Sequence, residues 1–238
     1  MTSETDFIQS LSQSVRHLVM FSDTCGGQNR NKNFSAMCLR AVKEYSIECI
    51  DHLFMESGHS QMEVDSVHST IENACRNQDV YAPTDYYKII SMARRGQPYR
   101  VHVLNTENFH DYKALSESTM KNRNKASDGS VVKWLKVKWF RYDKECPDKI
   151  FFSYDYSGEF KALETDFGRK GRRPKTTPRL KNLYQVPPSI SAAKHRDLVS
   201  LCKEKAVPSD YHSFYLGLKH DENVRDTVAD TDVDDEEP

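Results

Sequence analysis

Residues 18–29 read Leu-Val-Met-Phe-Ser-Asp-Thr-Cys-Gly-Gly-Gln-Asn, an apolar run followed at once by a carboxylate, two glycines and two amides. The apolar run predicts a buried strand over residues 16–22. Side chains at the carboxyl ends of strands in open α/β sheets converge on a crevice, and such crevices hold ligands. This stretch therefore predicts an α/β fold and a functional site around Asp23.

The segments around this stretch alternate between helical and strand patterns. Three of them carry apolar side chains at helical spacing and predict helices: residues 32–44, 62–76 and 84–94. Two read as strands, residues 47–55 and 99–104, and residues 107–116 read as a short helix. This order predicts an α/β core over residues 15–120, with a mixed sheet flanked by helices. Three predicted strands make a thin sheet, so either later strands join it or the core is incomplete at its N-terminus.

A second region, residues 121–167, predicts a small antiparallel sheet. Residues 132–142 alternate apolar side chains with Lys and Arg, and residues 149–154 and 159–163 are strands that could pair with them. The region holds both Trp134 and Trp139. We interpret them as core residues of this sheet or, alternatively, as a platform on which bases stack.

Charge is distributed unevenly along the chain. The formal net charge is −1, but residues 168–182 contain seven Lys or Arg and no acid, whereas residues 221–238 contain nine Asp or Glu and one Arg. We interpret the first segment as a basic linker and the second as an acidic, disordered tail. Residues 1–14 form a polar tail, and residues 183–220 a C-terminal helical segment.

Several classes of protein are excluded by composition. No apolar run is long enough for a transmembrane helix, and the N-terminus lacks the basic start and apolar centre of a signal peptide. The six cysteines form no Cys-x-x-Cys pair. We therefore expect an intracellular protein with free thiols, no membrane partner and no zinc ribbon.

Asp23 has two interpretations. As a turn residue it would accept hydrogen bonds from nearby backbone amides, as Asp routinely does. As a functional residue it would bind a metal ion, while Gly26 and Gly27 let the backbone approach a phosphate group and the amides of Gln28 and Asn29 contact nucleic acid.

A second polar cluster follows residues 47–55. His59 precedes the helix predicted over residues 62–76, and Asp65, His68 and Glu72 lie on one face of it. Together with Asp23, the residues His59, Asp65 and His68 could bind Mg²⁺ or Mn²⁺ and support phosphodiester cleavage. The alternative is a solvated helix face, with Asp65 placed favourably near the helix N-terminus.

The basic segment has two interpretations as well. Residues 169–175 of this segment contain five cations, which predict nuclear import or contact with DNA phosphates: Arg169, Lys170, Arg172, Arg173 and Lys175. The alternative is a solvated linker. The cations of residues 132–142 nearby favour nucleic-acid contact.

Two motifs resemble a known family. Residues 22–29 resemble the S-D-N-C-G-G-Q-N motif of an uncharacterised eukaryotic domain found in transposon-derived proteins, with Thr24 in place of the usual Asn. Residues 58–72 resemble that family's second motif, a Gly-His-Ser followed by an Asp, a His and an Ile-Glu pair. Residues 184–215 resemble the tail that often ends such proteins.

The resemblance implies a ribonuclease H-like transposase core with an acidic triad. Asp23 would be its strand-end carboxylate and Asp65 its helical carboxylate. The family's preceding block is missing before residue 15, so the resemblance implies a core that is truncated at its N-terminus and lacks the first carboxylate.

We therefore expect a transposable-element-derived domain of the class that cleaves and transfers DNA strands, with weak or no activity. Mg²⁺ or Mn²⁺ would be its cofactor and DNA its partner. One alternative is a non-catalytic module that binds nucleic acid or protein, with the C-terminal helices contacting a protein partner or a second copy. The other is a metal-dependent phosphoesterase that uses His59, Asp65 and His68.

Overall fold

The structure is a computed structural model that describes residues 7–8, 11, 13–25, 27–56, 62–120, 123–165 and 179–225. The chain divides into two compact units. The first comprises Met1–Gln61 with Leu104–Gln185, and the second comprises Met62–Val103 with Val186–Pro238. His59, the basic residues 169–175 and residues 226–238 of the acidic tail lie outside the described residues.

The secondary structure alternates as the sequence pattern predicts. The strands are His17–Ser22 (β1), Cys49–Phe54 (β2), Trp139–Asp143 (β3), Lys149–Ser153 (β4), Lys161–Glu164 (β5), Ile190–Ser191 (β6) and His220–Asp221 (β7). The α-helices are Lys32–Glu44 (α1), Glu63–Cys75 (α2), Pro83–Met92 (α3), Tyr112–Thr119 (α4), Ala192–Lys203 (α5) and His212–Leu216 (α6).

The first unit is built on a five-stranded mixed sheet in the order β1-β2-β3-β4-β5. β1 and β2 are parallel, because α1 crosses over between them, and the remaining neighbours are antiparallel. Alternate strand residues such as Ile50, Phe140 and Phe152 point to one face and are fully buried there. The helices α1 and α4 contribute Met37, Leu39 and other buried residues to the same core.

The antiparallel strands expected over residues 121–167 form no separate sheet but join the sheet of the α/β core, which is one of the two alternatives that the thin predicted sheet left open. The pairing of Cys49 with Asp143 joins β3 to β2, so that the later strands extend the sheet that β1 and β2 begin. β3 also starts at Trp139 rather than at residue 132, because residues 134–136 form a 3₁₀ turn. Burial of alternate residues, Phe140 and Tyr142, begins only with β3.

β1 is an edge strand rather than a fully buried one. Among the described residues it pairs only with β2, and only its Leu18 and Met20 pack against the hydrophobic core. Val19 and Phe21 therefore point away from the core and are 45% and 59% exposed. The apolar run at residues 18–21 predicts the strand correctly, but the expectation that this strand is buried holds for one of its faces and not for the other.

The expectations for residues 99–116 need a second correction. Residues 99–104 form no strand, since among the described residues they pair with no other segment. The helix expected at 107–116 is divided into a 3₁₀ turn, Thr106–Asn108, and α4. Asp111 separates the two and caps α4 by accepting a hydrogen bond from the Ala114 amide at 2.9 Å.

The second unit consists of α2, α3, α5 and α6 with the short parallel pair β6–β7. The helices α2 and α3, expected within the α/β core, thus group with the C-terminal helices. Tyr211 donates a hydrogen bond to Asp85 at 3.0 Å, and the Tyr215 hydroxyl donates to the Tyr81 carbonyl. These two aromatic residues, which belong to the C-terminal segment that one alternative assigns to a partner, thus form hydrogen bonds within the unit.

The structure also bears on two further expectations, which concern the cysteines and the membrane-spanning helices. All six cysteines are free, and Cys38 and Cys202 are buried. Within the described part of the chain, we find no helix with the length and apolar character that a membrane crossing requires.

Candidate functional site

Asp23 lies directly after β1 and acts as a turn residue. Its Oδ1 accepts a hydrogen bond from Asn29 Nδ2 at 2.7 Å and another from the Cys25 amide at 3.3 Å. The Asn29 backbone amide donates to the Cys25 carbonyl at 2.9 Å, which closes the loop. The Asn29 amide is thereby engaged with Asp23, whereas Gln28 is exposed.

Asp65 and His68 belong to α2 in the second unit, whereas Asp23 belongs to the first. Asp65 Oδ2 accepts a hydrogen bond from the Met62 amide at 2.8 Å and caps the start of the helix. His68 and Glu72 are exposed on the same helix. This geometry is what the solvated-face interpretation predicts for α2. Neither unit contains both Asp23 and Asp65, the two carboxylates proposed as catalytic.

A different cluster in the first unit has the side chains that could hold a metal ion. His17, Cys49 and Asp51 each offer one ligand atom, and these atoms lie within 4.8 Å of one another. No such group of three surrounds Asp23 among the described residues. This cluster is not predictable from the sequence, because its members become neighbours only when β1 pairs with β2.

The Asp51 carboxylate is already surrounded by donors. It accepts hydrogen bonds from Arg141 Nε and Trp139 Nε1, both at 2.7 Å, and from His17 Nε2 at 2.7 Å. Burial opposes its ionisation, but the hydrogen bonds from Arg141, Trp139 and His17 outweigh burial and lower the pKa of Asp51. A cation here would compete with Arg141, so the cluster acts first as a buried ion pair.

The Cys49 thiol reinforces this conclusion. Burial, followed by the charge of Asp51, raises the pKa of Cys49 to about 11. The thiol therefore stays protonated at neutral pH, whereas metal ions bind the thiolate.

A cleft of about 650 Å³ lies at the carboxyl ends of β1 and β2 in the first unit. Thr24 follows β1, and Met55 and Glu56 follow β2, so that the parallel strands place these lining residues at one edge of the sheet. Residues 131–138 and the segment after β4 supply the remaining lining. The cleft thus occupies the edge that the motif at residues 22–29 predicts.

The charged side chains in the lining of the cleft are mainly basic. The lining contains Arg30, Lys133, Lys136 and Lys138, with Glu56 as its one acid among the described residues. Glu56 forms an ion pair with Lys138, and the distance from Glu56 Oε1 to Lys138 Nζ is 2.6 Å. No ion pair engages Lys133 or Lys136 within the described part of the chain. The cleft therefore carries an excess of positive charge.

Arg30 is the most enclosed of these cations, with only 7% of the residue exposed. Its guanidinium carbon lies 4.5 Å from the centre of the Phe54 ring, and Nη1 donates to the Leu135 carbonyl. Its Nε is buried and has no acceptor among the described residues. Burial lowers the pKa of Arg30, although Tyr156 and Asp23 partly oppose this effect.

Two tyrosines supply the aromatic part of the cleft. The Tyr154 hydroxyl accepts a hydrogen bond from the Lys133 amide at 3.0 Å. Tyr156 donates its hydroxyl to the Phe54 carbonyl at 2.6 Å, yet 45% of the residue is exposed. Its ring is therefore anchored at one end while much of its surface faces solvent.

His52 lies behind the cleft wall. Its ring centre is 4.2 Å from that of Phe54 and 4.7 Å from that of Phe34, and its Nε2 lies 2.8 Å from Ser22 Oγ. Burial and then the charge of Arg30 lower the pKa of His52 to about 4. His52 is therefore neutral at pH 7 and a weak base, so the Ser22–His52 pair has a structural role rather than that of an activated nucleophile.

The fold and this site define a class: a mixed α/β protein with a basic, aromatic cleft at the carboxyl ends of its parallel strands. Residues 7–147, more than half of the 238-residue chain, match the family described as Domain of unknown function (DUF7869). The chain belongs to that family. Comparison with curated proteins and with solved structures gives no match.

Proposed function

We propose that the first unit binds nucleic acid in the cleft and acts as an interaction module. The observation that carries this proposal is the excess of cations in the lining beside two tyrosine rings. Phosphate groups supply the charge that pairs with Arg30, Lys133 and Lys136, and nucleobases supply the flat surfaces that tyrosine rings bind. This is the alternative that the cations of residues 132–142 favour at the level of sequence.

The lysines are the part of the site to test first. Replacing two cations that contact phosphates weakens binding for every sequence and lowers its dependence on salt. We expect the double variant Lys133→Gln, Lys136→Gln to bind a fluorescent DNA about 10-fold more weakly in anisotropy titrations. The slope of log affinity against log salt concentration should fall by about 1.5, because each phosphate contact contributes about 0.7 to 0.9.

A matched control uses exposed lysines elsewhere in the first unit. Lys113 and Lys144 are exposed and do not line the cleft, so the variant Lys113→Gln, Lys144→Gln changes the net charge equally. It should leave the affinity nearly unchanged. Equal losses in both double variants would show non-specific attraction and would refute a binding site in the cleft.

Metal-dependent strand cleavage is a second candidate, and one observation favours it. Asp23 follows β1 at the edge of the sheet where the cleft lies, and only its Oδ1 accepts hydrogen bonds among the described residues. Mg²⁺ and Mn²⁺ need several oxygen ligands, and the nearby Glu56 is held by Lys138. The described residues thus do not complete such a site, which supports binding without cleavage.

The origin of the domain belongs to the same proposal. The two motifs support a transposon-derived, ribonuclease H-like ancestor in which Asp23 and Asp65 were metal ligands. The basic segment at residues 169–175 supports a nuclear location. Nicking of a supercoiled plasmid with Mn²⁺ that is abolished by Asp23→Ala would favour retained cleavage over binding alone.

A further inference from the structure

The enclosed guanidinium of Arg30 suggests which part of the ligand enters the cleft. A buried cation is stable when an anion pairs with it, and no carboxylate forms an ion pair with Arg30 among the described residues. Its Nε is a buried donor without an acceptor in the same part of the chain. Because Arg30 lines the cleft, an anion entering from solvent can supply the missing acceptor. A phosphate oxygen has the required charge and geometry.

The ring of Tyr156 suggests what lies beside that phosphate. Its hydroxyl is fixed on the Phe54 carbonyl, and the Phe54 ring lies 4.5 Å from the Arg30 guanidinium. Lys138 Nζ lies 5.3 Å from the centre of the Tyr156 ring, which places a cation at that ring. An anchored and exposed ring with a cation beside it has the properties of a surface on which a base stacks.

The size of the cleft limits the form of the ligand. A volume of about 650 Å³ lies within the range of sites that bind small molecules, and it accommodates a nucleotide rather than a helix. In a duplex the bases stack on one another, so their faces cannot reach Tyr156. An unpaired strand exposes its base faces and its phosphates together.

We propose that the cleft binds single-stranded nucleic acid, with one phosphate on Arg30 and the adjoining base stacked on Tyr156. This inference rests on the proposed function and adds the form of the ligand and the roles of two residues. Lys133 and Lys136 hold the neighbouring phosphates of the strand. Double-stranded DNA reaches only these outer lysines and binds more weakly.

The test compares a fluorescent single-stranded DNA of eight thymidines with a blunt hairpin duplex of eight base pairs, both titrated by anisotropy. We expect the single strand to bind at least 10-fold more tightly. Tyr156→Leu should weaken single-strand binding about 10-fold, because stacking on an aromatic ring contributes about 1–3 kcal/mol per base, and 1.4 kcal/mol corresponds to 10-fold. Tyr156→Phe keeps the ring and should lose no more than about 3-fold.

Arg30 is tested with two variants, because its side chain also packs on Phe54. Arg30→Gln should weaken single-strand binding about 10-fold or more, and Arg30→Lys, which keeps the charge, should weaken it less. Circular dichroism and thermal unfolding identify variants that have lost the fold. If Arg30→Gln fails to fold, the exposed Tyr156 variants still decide the question.

The outcomes separate the inference from the proposed function. Duplex binding equal to or tighter than single-strand binding, still dependent on Lys133 and Lys136, would overturn the inference and leave the proposed function standing. Unchanged single-strand affinity in Tyr156→Leu would likewise overturn the inference and leave the proposed function standing. Binding of neither DNA, or equal binding of polyglutamate, would overturn both.

Discussion

At the scale of single residues, His52 links the sheet to the cleft. It is 1% exposed, and its ring lies between Phe34 of α1 and Phe54, which lines the cleft. Its Nδ1 is buried and has no partner among the described residues. The surroundings therefore accept a neutral imidazole and oppose a charged one.

The depressed pKa of His52 makes the stability of the first unit depend on pH. The unfolded chain binds a proton at His52 near pH 6.5, whereas the folded chain does so only near pH 4. Stability is therefore complete above about pH 6.5 and is lost as the pH falls towards 4, because the unfolded state then binds more protons. We expect His52 alone to remove about 2–3 kcal/mol between pH 7 and pH 4.5.

Urea unfolding of the wild type and of His52→Phe at both pH values measures this effect. Phe keeps an aromatic ring between Phe34 and Phe54 but cannot bind a proton. The variant should therefore lose about 2–3 kcal/mol less than the wild type over this pH range. Equal losses in the two proteins would show that other groups cause the acid sensitivity.

Asp23 and Asp51 show which roles of single carboxylates can be predicted from the sequence and which cannot. The position of Asp23 at a strand end and its capacity to accept turn hydrogen bonds follow from the sequence. Asp51 gave no such signal, although the structure buries it and surrounds it with Arg141, Trp139 and His17. Those partners come from β1 and β3, the two strands that flank β2, so that only the sheet brings them together with Asp51.

At the scale of secondary structure, α1 is where sequence and structure agree best. Its bounds, Lys32–Glu44, are those predicted from apolar spacing, and eight of its residues are buried. Asn31 caps it by accepting hydrogen bonds from the amides of Asn33 at 2.9 Å and Phe34 at 3.0 Å. Local and tertiary preferences coincide in this helix, which explains why its limits were predictable.

The cap of α1 is a measurable contribution to stability. We expect Asn31→Ala to lower the free energy of unfolding by about 1 kcal/mol, because two helix amides lose their acceptor. Asn31→Asp retains an acceptor oxygen at the same place and should change stability by less than about 0.5 kcal/mol. Urea unfolding followed by circular dichroism distinguishes the two. If Ala and Asp have the same effect, the cap does not contribute to stability.

Residues 132–138 show the opposite case at this scale. Their alternation of apolar and basic side chains predicts a strand, yet residues 134–136 form a 3₁₀ turn. The turn leaves Lys133 and Lys136 in the lining of the cleft. An alternating pattern specifies a strand only where a neighbouring strand supplies the hydrogen bonds, and β3 finds that neighbour in β2 only from Trp139 onwards.

At the scale of the whole molecule, the two units differ in how much they bury. The first contains the continuous core of the sheet with α1 and α4. In the second, α2 and α3 contain no buried residue, and the unit is held partly by the hydroxyl hydrogen bonds of Tyr211 and Tyr215. Regions with few buried apolar contacts open at lower free energy than core regions.

Hydrogen exchange should therefore separate the units. We expect the amides of α1, β2 and β3 to exchange slowest, and those of α2 and α3 to exchange at least about 100-fold faster. Mass spectrometry of peptic fragments measures both classes in one experiment. Equal protection of α1 and α2 would show that the chain opens as a single cooperative unit.

The sequence by itself determined the alternating α/β order, the limits of α1, the free cysteines and the edge of the sheet at which to look for a site. These features depend on local periodicity, turn chemistry and composition, which each segment carries within itself. Only the tertiary structure decided that β3, β4 and β5 extend the first sheet, that Asp51 is buried beneath Arg141, and that Arg30 and Tyr156 line one cleft with the lysines. Each of these three features depends on contacts between segments far apart in the chain. The free energy of those contacts comes from burial and hydrogen bonds, which form only when the segments pack together.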